Sequence, residues 1–166
     1  PTAEGPVIQA ANVRALSGGV TTDKIFDMVR RIRQKTSIPM VFMTYANVVY
    51  SYGTERFAKA AAESGMDGLI LPDVPFEEKE EFAIPFKEHG LDLISLIAPT
   101  SHERIAMIAK EAEGFGISEP KQAKKMAAQS DGVIVGSAIV KLCEKYGADC
   151  VPHIFTFVKE MKDAIR

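Results

Sequence analysis

The sequence predicts an α/β protein in which helices cover a parallel sheet. Short apolar runs of strand length alternate with segments whose apolar residues recur at helical spacing. This alternation is typical of βαβ units, which place parallel strands side by side and helices outside them. The chain has 166 residues, of which 46% are hydrophobic and 25% charged. That composition is ordinary for a globular protein with one core, so we predict a single domain over residues 1–166.

Composition excludes several kinds of partner. The net charge is -2, and no lysine or arginine cluster coincides with aromatic residues, so we expect no nucleic-acid or membrane partner. No apolar run approaches the ~20 residues of a membrane span, and the first residues do not form a signal peptide. We therefore expect a cytoplasmic protein. Cys143 and Cys150 stand seven positions apart without a nearby ligand cluster, which predicts reduced thiols rather than a bridge or a metal site.

The first two predicted elements are helices. Residues 2–6 form a loop that leads into a helix through Leu16, and Glu4 precedes its N-terminus. A carboxylate there either complements the helix dipole or takes part in catalysis. Thr22 and Asp23 cap a second helix, whose arginines we expect to be solvated.

Four apolar runs follow, and each is predicted to form a strand. The predicted strands are residues 40–45, 68–71, 91–98 and 133–135. The first two are predicted to be buried, and the last one is predicted to be buried on both faces. We expect loops after the first two strands, at Ala46-Asn47 and at Pro72-Asp73-Val74-Pro75. The alternation fails once, because a predicted helix containing Ala112 meets Gly114 without an intervening strand. This failure indicates a missing segment near residues 113–116.

Two glycine turns near the end of the chain each precede a predicted helix. They are Gly114-Phe115-Gly116-Ile117-Ser118 and Gly136-Ser137. The first N–H groups of a helix lack partners within the helix, and glycine lets a phosphate approach them. A (β/α)8 barrel often holds a phosphate at its last two strand-to-helix loops. The pair therefore predicts a phosphate site at Gly116, Gly136 and Ser137, although either turn alone is more often an ordinary tight turn.

Five motifs in the same order resemble the α subunit of tryptophan synthase. The motifs are Pro1-Thr2-Ala3-Glu4-Gly5-Pro6-Val7-Ile8-Gln9, Tyr45-Ala46-Asn47, Leu71-Pro72-Asp73-Val74-Pro75, Gly114-Phe115-Gly116-Ile117-Ser118 and Gly136-Ser137-Ala138-Ile139-Val140. The resemblance implies a parallel (β/α)8 TIM barrel, present here as a partial barrel. It also implies retro-aldol cleavage of indole-3-glycerol phosphate to indole and glyceraldehyde 3-phosphate. No metal or organic cofactor is implied for this reaction, since pyridoxal phosphate belongs to the β subunit of the α2β2 complex.

The resemblance also assigns roles to residues. Glu4 stands where the family usually has an aspartate, and it is the implied catalytic carboxylate. The implied indole pocket consists of apolar residues that otherwise are ordinary core positions: Ile8, Met43, Ile70, Ile97 and Phe115. The implied surface for the β subunit contains Asn47, Asp73 and Pro75, which follow strands and alternatively are plain turn residues. Because prolines flank Asp73, we expect its replacement to affect partner binding rather than stability.

The chain departs from the family pattern in length. A complete barrel needs ~250 residues, and the resemblance implies that the first strand, first helix and second strand are lacking, together with an internal strand, loop, helix and strand. A second catalytic carboxylate belongs to the lacking part, so we expect the printed chain to be inactive alone. Two alternatives remain: a non-catalytic partial barrel that binds only phosphate or a partner, and another phosphate-binding barrel isomerase or epimerase.

Overall fold

A computed structural model describes residues 5–75, 78–97, 112–114, 119–127 and 133–165. The helices are α1 (Pro6–Ser17), α2 (Thr22–Arg33), α3 (Ala46–Tyr52), α4 (Thr54–Ser64), α5 (Glu80–Glu88), α6 (Pro120–Ala127), α7 (Ser137–Tyr146) and α8 (Cys150–Ile165). The strands are β1 (Val41–Met43), β2 (Gly68–Ile70), β3 (Asp92–Ile97) and β4 (Ala112–Gly114). None of the helices in these ranges is long and apolar enough to cross a membrane.

The chain divides into two compact units. The central unit is Ala15–Ser95, and the terminal unit consists of Pro1–Arg14 with Leu96–Arg166. The prediction of a single domain stays a prediction.

The central unit contains the predicted parallel sheet. β1 pairs with β2 and β2 pairs with β3, both in parallel. The register aligns Val41 with Gly68, and Gly68 with Asp92. All three residues of β2 are buried, as expected for the middle strand of a parallel sheet covered by helices.

β1 differs from the prediction of a buried strand. Val41 is 40% exposed and Met43 is 43% exposed. In the described part of the sheet β1 pairs only with β2. A parallel strand is enclosed when it has neighbours on both sides and helices on both faces. The apolar composition of this run therefore predicted a strand correctly but overestimated its burial.

Edge-to-face aromatic contacts form the centre of the core in the central unit. Phe26 of α2 contacts Phe42 of β1 at a centroid separation of 5.5 Å and Phe57 of α4 at 5.3 Å. Phe26 and Phe57 are 2% and 3% exposed. Such pairs add about 0.5–1.5 kcal/mol each beyond the apolar area that they bury. The contacts hold α2 and α4 against β1.

A partly exposed ion pair lies at the point where β1 and β2 begin. Asp67 Oδ2 lies 2.6 Å from Arg33 Nη2 and accepts the Met40 N–H at 2.7 Å. Arg33 also donates to the Ile38 carbonyl at 2.7 Å and, through Nε, to the Gly65 carbonyl at 2.7 Å. The prediction that the α2 arginines are solvated is therefore wrong for Arg33, because its planar fork satisfies three backbone or carboxylate acceptors.

Residues 46–52 form α3, where we predicted a polar loop beginning at Ala46-Asn47. The error arose because alanine and asparagine precede two aromatic residues without a helix-length apolar pattern, and a seven-residue helix gives little periodic signal. Asn47 is the second residue of α3 and is exposed.

The terminal unit departs from the predicted pattern at two places. β4 is a strand at residues where we predicted the end of a helix. The predicted buried strand at residues 133–135 forms only a bridge at Val133, and its three residues are half-buried. A continuous apolar run indicates burial, but a strand also requires a partner for its backbone groups. Val133 and Val135 instead pack beside the buried side chains of Ala123 and Met161.

Gly68 supports a first prediction, on stability. A Cβ at this position would lie 2.5 Å from the Asp92 carbonyl oxygen of β3 and 3.3 Å from Val41 Cγ1. Because a backbone oxygen cannot move without disturbing the β2–β3 pairing, we expect Gly68→Ala to lower the free energy of unfolding by about 1–3 kcal/mol. Urea denaturation measures this change. Gly5→Ala is the control, since a Cβ there meets no atom within 4 Å; equal losses in both variants would contradict the argument.

Asp67 supports a second prediction, on pH dependence. The Met40 N–H and the Arg33 guanidinium lower the pKa of Asp67 below its ordinary value of 3.8. A lowered folded-state pKa contributes stability above the ordinary value and loses it as pH falls through the folded value. We therefore expect the free energy of unfolding of the wild type to decline below about pH 4, and Asp67→Asn to show a smaller decline from a lower starting stability. Denaturation midpoints of both proteins are measured at pH 7, 5, 4 and 3 in about 0.1 M salt, where the Debye length is ~10 Å. Equal slopes of stability against pH for the wild type and Asp67→Asn would refute the assignment.

Candidate functional site

The N-terminus of α7 presents backbone donors without a side-chain cap. Gly136 precedes Ser137, the first residue of α7, and as the N-cap it has no side chain that could accept a hydrogen bond from the first turn. The Gly136 carbonyl accepts the first helical bond, from the Val140 N–H at 3.1 Å. Gly136 and Ser137 are both exposed. An uncapped, exposed helix N-terminus favours an anion because its N–H groups and its dipole both point toward the ligand.

Gly136 leaves space in front of these donors. Its backbone has φ -104° and ψ -70°, which other residues also adopt, so glycine is not required for the conformation. A Cβ built on Gly136 would meet no atom within 4 Å. The absent side chain therefore provides access rather than a special turn. The geometry suits the predicted phosphate site at Gly136 and Ser137, whose binding role stays a prediction.

The other predicted glycine turn, Gly114-Phe115-Gly116-Ile117-Ser118, lies mostly outside the described residues. Phe115, Gly116 and Ser118 lie outside the described residues. At the start of α6 the Glu119 N–H donates to Gln122 Oε1 at 3.2 Å. This is the return half of a capping box, in which a side chain of the first turn satisfies a donor at the helix start. One donor of this helix start is thus already occupied by the protein itself.

The predicted catalytic carboxylate, Glu4, also lies outside the described residues. Ile8, a predicted indole-pocket residue, is half-buried in the first turn of α1. α1 contacts α7 through an ion pair between Arg14 Nη1 and Glu144 Oε1 at 3.4 Å. Both side chains are more than half exposed, so the pair contributes little free energy. The helix that follows Glu4 and the helix that follows Gly136 are therefore neighbours within the terminal unit.

Two of the predicted indole-pocket residues are neighbours in the central unit. Met43 ends β1 and Ile70 ends β2, and the parallel register pairs them directly. Ile70 is 3% exposed, whereas Met43 is partly open to solvent. Ile97 ends β3, and its side chain lies outside the described residues. The C-terminal ends of parallel strands are the edge where barrels bind ligands, but a role of these residues in binding indole stays a prediction.

Asp73 makes a contact that the sequence did not predict. Its carboxylate accepts the Ala46 N–H, at 3.0 Å to Oδ1 and 3.2 Å to Oδ2. Ala46 is the first residue of α3, and the preceding Tyr45 offers no side-chain cap. The loop after β2 thus supplies the cap of a helix that follows β1. Asp-Val-Pro was interpreted as a local turn, and a bond over 27 positions leaves no short-range signal in the sequence.

The same contact brings the predicted partner residues toward one edge. Asn47 follows Ala46 directly, and Pro75 follows Asp73 by two positions. Asn47, Asp73 and Pro75 are all exposed. The hydrogen bond to Ala46 therefore places Asp73 beside the start of the helix that contains Asn47, and the side chains of Asn47, Asp73 and Pro75 are all accessible. Their contact with a partner stays a prediction.

An apolar cavity of about 280 Å³ lies in the terminal unit. Val133, Val135 and Ile139 line one part of it, and Phe157 and Met161 of α8 line another. None of the predicted site residues lines this cavity. It therefore differs from the predicted indole pocket, and it lies where the predicted strand at residues 133–135 is only half-buried.

The protein is an α/β protein of the (β/α)8 TIM-barrel class. Its strands are parallel, helices cover them, and one helix begins after Gly136 without a side-chain cap. A family model described as tryptophan synthase alpha chain matches residues 1–115 and 111–166. The chain therefore belongs to the tryptophan synthase alpha chain family.

Individual relatives agree with this assignment. The chain is 40% identical over 206 aligned positions to the tryptophan synthase alpha chain of Geobacter sulfurreducens, covering 99% of this chain and 78% of that one. It matches the solved tryptophan synthase subunit alpha of Legionella pneumophila with a TM-score of 0.83 and 31% identity, over 99% of this chain and 77% of that chain. A structure of the tryptophan synthase α2β2 complex from Pyrococcus furiosus matches with a TM-score of 0.85 and 27% identity, over 98% and 81%.

The alignment lengths show how this chain differs from its relatives. The Geobacter alignment extends over 206 positions, whereas this chain has 166 residues. At least 40 aligned positions of that relative, which is the difference between the two numbers, have no counterpart here. The two stretches that match the family model overlap at residues 111–115, next to the missing segment predicted near residues 113–116.

The Ala46 contact changes our expectation for Asp73. Removing the carboxylate leaves the first N–H of α3 without its acceptor, and loss of a helix N-cap costs about 0.5–2 kcal/mol. We expect Asp73→Ala to lower the free energy of unfolding by about 1 kcal/mol, rather than to leave stability nearly unchanged. Thermal and urea denaturation measure this. Asn47→Ala is the control because Asn47 lies on the exposed face of the same helix; identical stability of Asp73→Ala and wild type would contradict the capping role.

Proposed function

We propose that this protein is a lyase of tryptophan biosynthesis that cleaves indole-3-glycerol phosphate to indole and glyceraldehyde 3-phosphate. The observation that carries the proposal is family membership along the whole chain, in two stretches that together include every residue. The uncapped start of α7 after Gly136 supports it, because the substrate has a phosphate that needs such donors.

The proposed reaction requires proton transfers at both ends of the bond that breaks. A proton is delivered to indole C3 as the bond to the glycerol carbon breaks. The glycerol hydroxyl proton must be accepted, and the indole nitrogen gives up its proton while C3 is protonated and regains one as the bond breaks and indole forms. Two carboxyl groups in different protonation states suit this chemistry, since one donates while the other accepts. We assign Glu4 to polarise the indole N–H and to balance the charge that develops on the ring.

The phosphate is proposed to bind at the start of α7. The N–H groups that follow Gly136 act as donors, Ser137 adds a hydroxyl, and Gly116 contributes a second backbone donor. Fixing the phosphate places the glycerol chain and the indole ring at a defined distance from it, and such positioning is a large part of catalytic rate enhancement. Ile8, Met43, Ile70, Ile97 and Phe115 are proposed to surround the ring.

The proposed partner is the β subunit of tryptophan synthase. The Pyrococcus furiosus structure that matches this chain is an α2β2 complex. We propose that Asn47, Asp73 and Pro75 lie at this interface, since they are exposed and follow the ends of parallel strands. The reaction of this chain is proposed to need no metal or organic cofactor, and pyridoxal phosphate is assigned to the β subunit. A cytoplasmic location is part of the same proposal.

A binding experiment tests the phosphate site independently of turnover. Indole-3-propanol phosphate has the indole and the phosphate but lacks the hydroxyls needed for cleavage. We expect Gly136→Val to weaken its binding by roughly tenfold or more, because a β-branched side chain would occupy the space in front of the α7 donors; tenfold corresponds to about 1.4 kcal/mol. Gly136→Ala should have a smaller effect. Titration calorimetry measures both, and denaturation shows that both variants fold, as the open space predicts. Equal affinity in all three proteins would place the phosphate elsewhere.

A turnover experiment tests the lyase assignment. The 166-residue chain contains Glu4 but lacks at least 40 positions that the Geobacter sulfurreducens relative has. Loss of one general acid or base typically costs about 10²–10⁴ in rate. We expect release of indole from this polypeptide alone to fall by at least that factor below that of a full-length relative assayed beside it. Slow but measurable release of indole would support the lyase, whereas binding of indole-3-glycerol phosphate with no detectable release would support the non-catalytic alternative. Conversion of a different sugar phosphate would support the isomerase or epimerase alternative and refute the lyase.

A further inference from the structure

The apolar face of α8 is wider than the part of it that is buried. α8 packs against α6 and α7. Its buried and half-buried residues form an inner stripe, which consists of Cys150, Ile154, Phe157, Met161 and Ala164. An outer stripe lies one position later along the helix and consists of Val151, Phe155, Val158, Lys162 and Ile165. Spacings of four and three residues place each stripe along one line of a helix, so α8 has two adjacent apolar lines.

The outer stripe is exposed. Phe155 is 70% exposed and Val151 is 69% exposed. Val158 and Ile165 are exposed as well, and Lys162 adds an apolar stem to the same line. The side chains that the structure describes therefore leave this stripe largely uncovered. Its spacing of four and three residues is typical of a helix that pairs with another helix.

The apolar cavity of the terminal unit lies beside the C-terminal half of the outer stripe. Val158, Lys162 and Ile165 of α8 line it, together with Val135 and Ile139 from the segments before α8. Because Val158 and Ile165 are also exposed, the cavity is accessible along the outer stripe. Its volume is about 280 Å³, whereas an apolar cavity of about 150 Å³ is enough to hold a benzene ring. The cavity therefore has room for one phenyl side chain.

We infer that two copies of this chain associate through the outer stripes of α8, with Phe155 of each copy inserted into the cavity of the other. This inference does not rest on the proposed function. Phe155 is the largest of the exposed apolar side chains of α8. It lies on the same stripe as the residues that line the cavity. One chain thus has both an uncovered ring and a cavity of sufficient size for it.

The positions of Phe155 and the cavity require the two helices to run antiparallel. Phe155 precedes Lys162 by seven positions, or about 10 Å along the helix. A two-fold axis across α8 near Val158 places Phe155 of one copy opposite Lys162 of the other, and symmetry repeats the contact. Parallel pairing would place the two rings opposite each other and leave both cavities empty. Antiparallel pairing therefore buries both rings in one closed dimer.

Electrostatics favours the same arrangement. Lys162 is the only charged residue of the outer stripe, and it lines the cavity that the ring enters. A lysine cation is attracted to the face of an aromatic ring, so Lys162 of one copy complements Phe155 of the other. The antiparallel axis also separates the two Lys162 residues by about 10 Å along the helix. This separation is near the Debye length of 0.1 M salt, so their repulsion is largely screened.

The size of the contact predicts a reversible dimer. α8 has 16 residues and is therefore about 24 Å long. One face of such a helix pair buries less than the roughly 1,200–2,000 Å² of a standard stable interface. We therefore expect the dimer to dissociate on dilution.

Sedimentation equilibrium of the 166-residue chain over a range of concentrations tests the inference. For the wild type we expect the mass to rise from one chain toward two, and no further. Phe155→Ala should weaken dimerisation by roughly tenfold or more, because the ring is a central aromatic anchor and is lost twice. Ile84→Ala is the matched control: it removes an apolar side chain of α5 that is 61% exposed, and the dissociation constant should not change. Urea denaturation shows that both variants fold.

A second variant tests whether the ring enters the cavity. Val158→Phe enlarges a side chain of the cavity wall, so it should also weaken dimerisation. An equimolar mixture of Phe155→Ala and Val158→Phe should associate more strongly than either variant alone, because the remaining ring of the second meets the open cavity of the first. The inference is overturned by a wild type that is monomeric at every concentration or by equal association of Phe155→Ala and wild type. A mixture that associates no better than the separate variants also overturns it.

Discussion

The interaction between Arg33 and Asp67 sets the alignment on which the central unit depends. The residues join the end of α2, the C-terminal cap of α4 and the backbone just before β1 and β2. Because the Asp67 carboxylate holds the Met40 N–H, β1 starts opposite β2, and Val41 pairs with Gly68. The register of β2 with β3 pairs Gly68 with Asp92 and requires glycine at position 68, since the Asp92 carbonyl oxygen occupies the space of a side chain. One charged contact at the edge thus determines which residues are neighbours at the far ends of the strands, including Met43 and Ile70.

The sequence predicted elements well where one short-range pattern determined them. The β2 run at residues 68–71 and the α2 helix at Thr22–Arg33 have strong local signals, and both are present. Predictions failed where a distant residue decides the outcome. α3 depends on a carboxylate from another loop. Arg33 is ordered by acceptors more than thirty positions away. Residues 133–135 have the composition of a buried strand, but in the described chain they form only a bridge at Val133.

The same difference between local and distant determinants decides which parts of the candidate site the sequence could predict. The start of α7 at Gly136 and Ser137 could be predicted because a strand-like run, a glycine and a helix-forming segment follow one another directly. The residues proposed to surround the indole ring could be named only from the family motifs, since apolar positions at strand ends are usually ordinary core.

The origin of the α3 cap has a consequence for the order of folding. α3 has seven residues, and an isolated helix shorter than ~12–15 residues is marginal in water. Its first N–H is held by Asp73, which lies beyond α4 and β2 in the chain. We therefore expect that this helix is not a nucleus that forms early and then recruits the sheet. We expect it to persist only after the β1 and β2 segments have aligned, so that a helix that is local in sequence behaves in folding kinetics as a long-range contact.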